Sequence, residues 1–283
     1  IGLADLIITT TQLPQVKGTD LQLRWSLRAL LRGKGLVHQL EAGTLIVQVP
    51  PGDPDKPRTD TDMPGDFGLP FPLEIRKLAV GRLEIQPPAV NGKDAEPYVV
   101  LTDINATAEY AVGQYRIKTL ALTSPWGQVR SATAQMEGAP PHRLKGVIQA
   151  NGQAQQWPYD ATLTVDGDLA RLPATLKGQL ADGMADIQAV VKPLGRMPVE
   201  RLHARLADTN LMRFTALGKL PETGMDLDLD IDQAPGKKET WQGLIRLANR
   251  RAGTLEANRI PLRSLQSGIV FRIPPTAQWE HLY

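Results

Sequence analysis

The chain has no cysteine, and this excludes disulfides, thiolate metal sites and cysteine nucleophiles in one step. Aromatic residues are scarce, with four Phe, five Trp and five Tyr in 283 residues, so its apolar contacts must come mainly from Leu, Val, Ile and Ala. Charge of one sign is lacking too. Lys and Arg number 32 against 30 Asp and Glu, and a formal charge of +2 builds no basic field for nucleic acid. The small clusters Arg24 with Arg28, Arg32 with Lys34 and Arg250 with Arg251 do not change that balance. No run approaches the roughly eighteen apolar residues of a membrane-spanning helix. The first residue is Ile1, inside a strand-like stretch, so an excised piece of a longer protein is expected.

The motifs of the common enzyme classes are missing as well. There is no GxSxG, no GxxxxGK[ST] and no GxGxxG opening a helix. His38, His142, His203 and His281 are scattered, with no pair at zinc-ligand spacing. His203, in ERLHARLA, falls with Arg201 and Arg205 on a wet face. A non-enzymatic protein without metal or cofactor is the expectation.

What the chain does have is alternation. MDLDLDID, residues 225–232, places Asp226, Asp228, Asp230 and Asp232 on one face of a strand and Leu227, Leu229 and Ile231 on the other. Carboxylates spaced about 6.6 Å apart along a straight strand do not converge on one calcium ion, so the row reads as a solvated face. The same period returns in DLQLRW, GTLIVQV, LAVGRLEIQ, YRIKTLAL, ATLTVDG, ATLKGQL, DIQAVVK, ERLHARLA, WQGLIRLA and GTLEAN. Each run is short and closed by Gly, Asn, Asp or Pro, the pattern of successive antiparallel strands. Helical spacing is confined to SLRALLRG (26–33), with a Ser N-cap and a stop at Gly33, and to PLRSLQSG (261–268).

The expected fold is all-β, an elongated and strongly curled antiparallel-type sheet with one or two short helices. Residues 1–142 form its first part and 143–283 its continuation, across a soft boundary within one domain. PPGDPDKPRTDTDMPGDFGLP (50–70) reads as a long exposed loop.

Three stretches carry a resemblance to a family: LQLRWSLRALLRGKGLVHQLEAGTLIVQVP (21–50), GLPFPLEIRKLAVGRLEIQ (68–86) and WQGLIRLANRRAGTLEAN (241–258). Their order of strand, short apolar helical turn, paired strands and Pro-rich excursion resembles the N-terminal periplasmic region of the TamB family, related to the AsmA-like and bridge-like lipid transfer proteins. The resemblance implies a taco-like sheet with an open apolar groove, in a periplasmic protein of diderm bacteria. It implies an inner-membrane anchor before this segment and, after it, a C-terminal region that engages an outer-membrane barrel of the TamA or BamA type.

Phospholipid acyl chains are the implied ligand. By strand parity the groove residues are expected to be Leu176, Leu180, Ile187, Ala189, Val191, Leu202, Ala204, Leu206, Leu227, Leu229, Ile231, Leu244 and Leu247. Two other readings share the alternation: a closed sandwich or β-helix spacer, and a chaperone-like module that binds nascent outer-membrane strands at a sheet edge.

Overall fold

The computed structural model describes residues 2–8, 15–49, 60–87, 96–154, 157–196, 198–210, 221, 223–237 and 239–272. Residues 50–59 of the expected loop, and His281, lie outside them. The fifteen strands are β1 (Gly2–Ile8), β2 (Gln15–Trp25), β3 (Gly35–Gln48), β4 (Leu73–Gln86), β5 (Val99–Ala111), β6 (Gln114–Ser124), β7 (Gly127–Glu137), β8 (Leu144–Ala154), β9 (Trp157–Gly167), β10 (Leu172–Leu180), β11 (Gly183–Val191), β12 (Val199–Thr209), β13 (Met225–Gln233), β14 (Thr240–Asn249) and β15 (Ser264–Arg272). Their hydrogen-bonded order follows the chain and does not close on itself, so the sheet is open. The all-β, mostly antiparallel expectation holds.

The described residues contain a single helix, α1 (Leu27–Leu30), where it was expected. Ser26 caps it by accepting the Ala29 N–H at 3.2 Å, and Gly33 ends the turn at a φ of +73°. The second expected helix is overturned. Ser264 to Arg272 is strand β15, paired antiparallel with β14 from Ala248↔Ser264 to Thr240↔Arg272, because a neighbouring strand edge outweighs a weak local helical spacing. GTLEAN is not a strand either. Its Ala257 and Asn258 N–H groups turn back to the Thr254 and Leu255 carbonyls, and Asn258 takes a positive φ.

One pairing departs from the antiparallel rule. β3 and β4 are parallel, from Gly35↔Leu73 to Gln48↔Gln86. The excursion between them explains it, because a parallel connection needs about a dozen residues or more to carry the chain back to its starting end.

Two compact units divide the chain. The first comprises Ile1–Asp53, Pro64–His142 and Ile148–Ala150, and the second Pro54–Met63, Arg143–Val147 and Asn151–Tyr283.

In the first unit, four adjacent strands change parity at one level. Apolar positions run Gly18 then Leu21 on β2, Ala42 then Leu45 on β3, Val80 then Leu83 on β4, and Ile104 then Leu101 on β5, each a step of three instead of two. A single extra residue would turn every later side chain to the other face. Shared by all four strands, it leaves the pattern intact, and Ala42, Val80 and Ile104 pack with Leu21, Leu45, Leu78, Leu83 and Leu101 in one cluster. The local backbone carries the cost. Asp20 and Asp103 take positive φ, and a methyl on Gly81 would lie 2.8 Å from the Gly43 carbonyl oxygen. Aligned bulges of this kind bend a sheet.

Residues 64–72 pack over one end of this unit's sheet. His142 is fully buried, with Nδ1 3.2 Å from the Glu137 carbonyl oxygen and Nε2 3.0 Å from that of Pro64. Phe67 stacks on its ring at 4.5 Å, and the Tyr115 hydroxyl donates to the Phe67 carbonyl.

Close backbone approach recurs in the second unit at Gly243, where an added methyl would sit 2.0 Å from the Asp230 carbonyl oxygen. Gly243→Ala is expected to destabilise by about 1–3 kcal/mol. Gly268→Ala, on the adjoining strand with no atom within 4 Å of the new methyl, should stay within about 0.5 kcal/mol of the parent. Urea unfolding midpoints of the two variants check this.

Candidate functional site

Residues directly opposite in an antiparallel pair share a face, so the pairing register identifies what each face of the sheet carries. In the second unit one row runs Leu163, Leu176, Ile187, Ala204, Leu229, Ile245 from β9 to β14. The next runs Val165, Ala174, Ala189, Leu202, Ile231, ending at Gly243. A third runs Ala161, Gly178, Ala185, Leu206, Leu227, Leu247 and reaches Leu265 on β15. Three rows on six strands carry no charged side chain.

Twelve of the thirteen residues expected by parity stand on this face. Leu180, opposite Gly183 and Tyr159, lies at its margin, and Val191 pairs with Leu172 beside a register shift on β12. Leu244 is on the other face. It pairs with Asp230 and Gly268, and Ile245 holds the place in the apolar row. Leu244 and Leu247 are three apart, and two such residues on a regular strand cannot share a face.

The first unit carries a matching face that parity arguments on the later residues missed. Leu23, Leu40, Leu78, Ala106, Leu120 and Ala132 form a row from β2 to β7. Beside it is a hollow of about 200 Å³ lined by Val16, Leu21, Leu40, Ala42, Leu45 and Leu78, among others, with no polar side chain. The signal was present in GTLIVQV and LAVGRLEIQ, but the parity change at Gly43 and Gly81 hides which alternate set belongs together. Tyr110, in line with Ile104 and Ala106 on β5, ends this face beside the Gly68 backbone and the Tyr115 ring.

These faces are not a closed core. Contacts between elements run chiefly between sheet neighbours and from α1 to β3, so among the described residues no second layer of strands or helix covers either face. Leu163, Leu176, Ile187, Leu229 and Ile245 are all half-buried, as neighbours in one layer leave them. The buried residues on this side of the second unit include Ala185, Met225 and Trp241, the last stacked on Phe271 at 6.0 Å.

The opposite face is polar and internally paired. In the second unit the four Asp residues of β13 meet bases from both sides. Arg201 binds Asp232 at 2.5 Å, His203 Nδ1 lies 2.6 Å from Asp230, Arg246 donates to Asp228 at 3.1 Å and Arg250 to Asp226 at 2.7 Å. The first unit repeats this with Lys34 and Arg76 on Glu74, Lys77 on Glu41, and Arg116 and Lys118 on Glu109. Exposed pairs of this kind contribute little stability each, but they leave this face satisfied and wet.

His203, Asp228 and Asp230 bring donor atoms within 4.8 Å of one another, the one group with metal-ligand spacing among the described residues. Arg246, at 3.1 and 3.6 Å from the two carboxylates, takes the place a cation would hold.

Burial pushes the Asp226 carboxyl up, but the Asp208 N–H at 2.9 Å and the Arg250 guanidinium outweigh it and hold it below its ordinary range. Compared with known protein families, with characterised proteins and with solved structures, the chain matches none. No helix among the described residues is long and apolar enough to cross a membrane.

Two measurements test this geometry. Leu229→Ala should cost about 1 kcal/mol, because a partly exposed leucine has kept some of its contact with water; a closed core would lose about 2–5 kcal/mol. Asp226→Asn should be less stable than the parent at neutral pH. A depressed carboxylate stabilises the fold above its unfolded pKa and loses that contribution as pH falls through the folded one, so the two unfolding midpoints should converge in acid.

Proposed function

We propose that this chain is a periplasmic segment of a TamB-like protein whose uncovered sheet face carries phospholipid acyl chains between the inner and outer membranes. One observation carries the reading: aliphatic rows cross successive strands of each unit with no described layer over them, while the reverse face is closed by ion pairs. A contiguous apolar surface of that extent is not left to water without an occupant. Acyl chains suit it, since every methylene removed from water is worth about 0.8 kcal/mol and no head-group contact is needed. The rows set no direction. Lipid exchanges along a surface of near-uniform chemistry, and net transport comes from whatever loads and unloads its ends. The resemblance places the anchor in the inner membrane and the receiving barrel, of the TamA or BamA type, in the outer membrane.

The test is photocrosslinking in cells, followed by mass spectrometry of the adduct. Probes replace Leu229 and Ile245 on the apolar face, and Asp228 and Leu244 on the reverse. Leu244 is the sharper control, because it is apolar and adjacent to Ile245 but points away from the rows. Phospholipid captured at 229 and 245 and not at 228 and 244 is the expected result. Only intramolecular adducts at 229 and 245 would refute the conduit, and segments of barrel proteins there would move the assignment to assembly of outer-membrane β-barrels.

A further inference from the structure

The register brings three connections to one end of the first unit. Trp25 pairs with Val37, Gly35 with Leu73 and Leu73 with Tyr110, so α1, residues 70–72 and the Val112-Gly113 turn all lie beyond the same sheet end. The apolar side chains there face water. Leu31 is 82% exposed, Leu27 60%, Trp25 43%, Phe71 40% and Val112 99%. Helix α1 buries no residue at all, so its leucines do not serve the sheet.

Val112 is the more telling case. It holds a φ of 51° beside Gly113 at 75°, a two-residue turn in which both positions favour Gly, Asn or Asp. A β-branched residue is the worst choice for that backbone, and full exposure means that no packing compensates it.

The charge at this end points to the occupant. Residues 21–40 contain Arg24, Arg28, Arg32 and Lys34 and no Asp or Glu. Of the carboxylates at this end, Glu74 is engaged by Lys34 and Arg76, Glu109 by Arg116 and Lys118, and Asp66 by the Gly68 N–H, and Glu137 stands on β7 opposite Gln114. Arg28 and Arg32 form no ion pair among the described residues. Leucine and tryptophan at the tip with unpaired arginines beside them match the interface of an anionic bilayer, where aliphatic groups enter the acyl boundary and guanidinium groups meet phosphate.

We propose that this end of the first unit is a foot that binds the surface of an anionic membrane, inserting Leu27, Leu31 and Val112 under the phosphates that Arg28 and Arg32 hold. The foot shares no residue with the acyl-chain rows of the second unit and stands or falls separately from them.

The absence of cysteine allows a single-site test. Leu31→Cys and, at the opposite sheet end, Gln128→Cys are labelled with an environment-sensitive nitrobenzoxadiazole and mixed with phosphatidylcholine vesicles with or without phosphatidylglycerol. The expected result is a blue shift and intensity gain at 31 and none at 128, with the phosphatidylglycerol vesicles only. Flotation of the unlabelled chain with the same vesicles should fall about fivefold for each positive charge removed in Arg28→Ala and Arg32→Ala. It should fall further in Leu27→Ser/Leu31→Ser, whose sites are exposed. No response at 31, or equal responses at 31 and 128, overturns the proposal. So does flotation that these variants leave unchanged.

Discussion

A β-strand offers each face only every second residue, and the arrangement of this molecule follows from keeping one face apolar under that constraint. Each strand must present its aliphatic set to the same side as its neighbours, or the rows break. In the second unit simple alternation is enough over most of the length: Leu163, Leu176, Ile187, Ala204, Leu229 and Ile245 line up because each register is antiparallel and in phase. The first unit meets the constraint differently. Its strands take an extra residue together at Asp20, Gly43, Gly81 and Asp103, which preserves the face from β2 to β5.

The two faces then do different physical work. On the reverse side, the β13 carboxylates meet Arg201 of β12 and Arg246 of β14, so a dense acidic run is paired by its neighbours. On the apolar side no described strand or helix is an equivalent partner. A leucine on a single layer touches its neighbours in the sheet, and part of its surface stays available. That asymmetry makes the sheet a surface suited to an apolar ligand.

The ends of the first unit follow another logic. Segment 64–72 returns over the sheet and sets Phe67 against His142 and Tyr115, closing the apolar face there with aromatic rings. Just beyond, α1 and the Val112 turn expose aliphatic side chains that the fold could have used or avoided. The aromatic cluster covers one end of the apolar face, and the tip beyond it stays in water.

Most of the strands, the polar and apolar sides of MDLDLDID, the Ser26 cap and the stop at Gly33 were determined by the sequence itself, because each depends on residues two to seven positions apart. Tertiary structure decided the rest. Leu244 and Leu247 could not be sorted by eye, since only pairing with Asp230 and Leu227 says which side each occupies. The second expected helix became β15 because the β14 edge was there to pair with. The aliphatic rows of the first unit were hidden by bulges whose alignment exists only between strands, and the parallel step from β3 to β4 by an excursion whose return end no local signal records. Local periodicity encodes which side chains share a face; which strands are neighbours, and in what register, is settled by contacts between residues far apart in the chain.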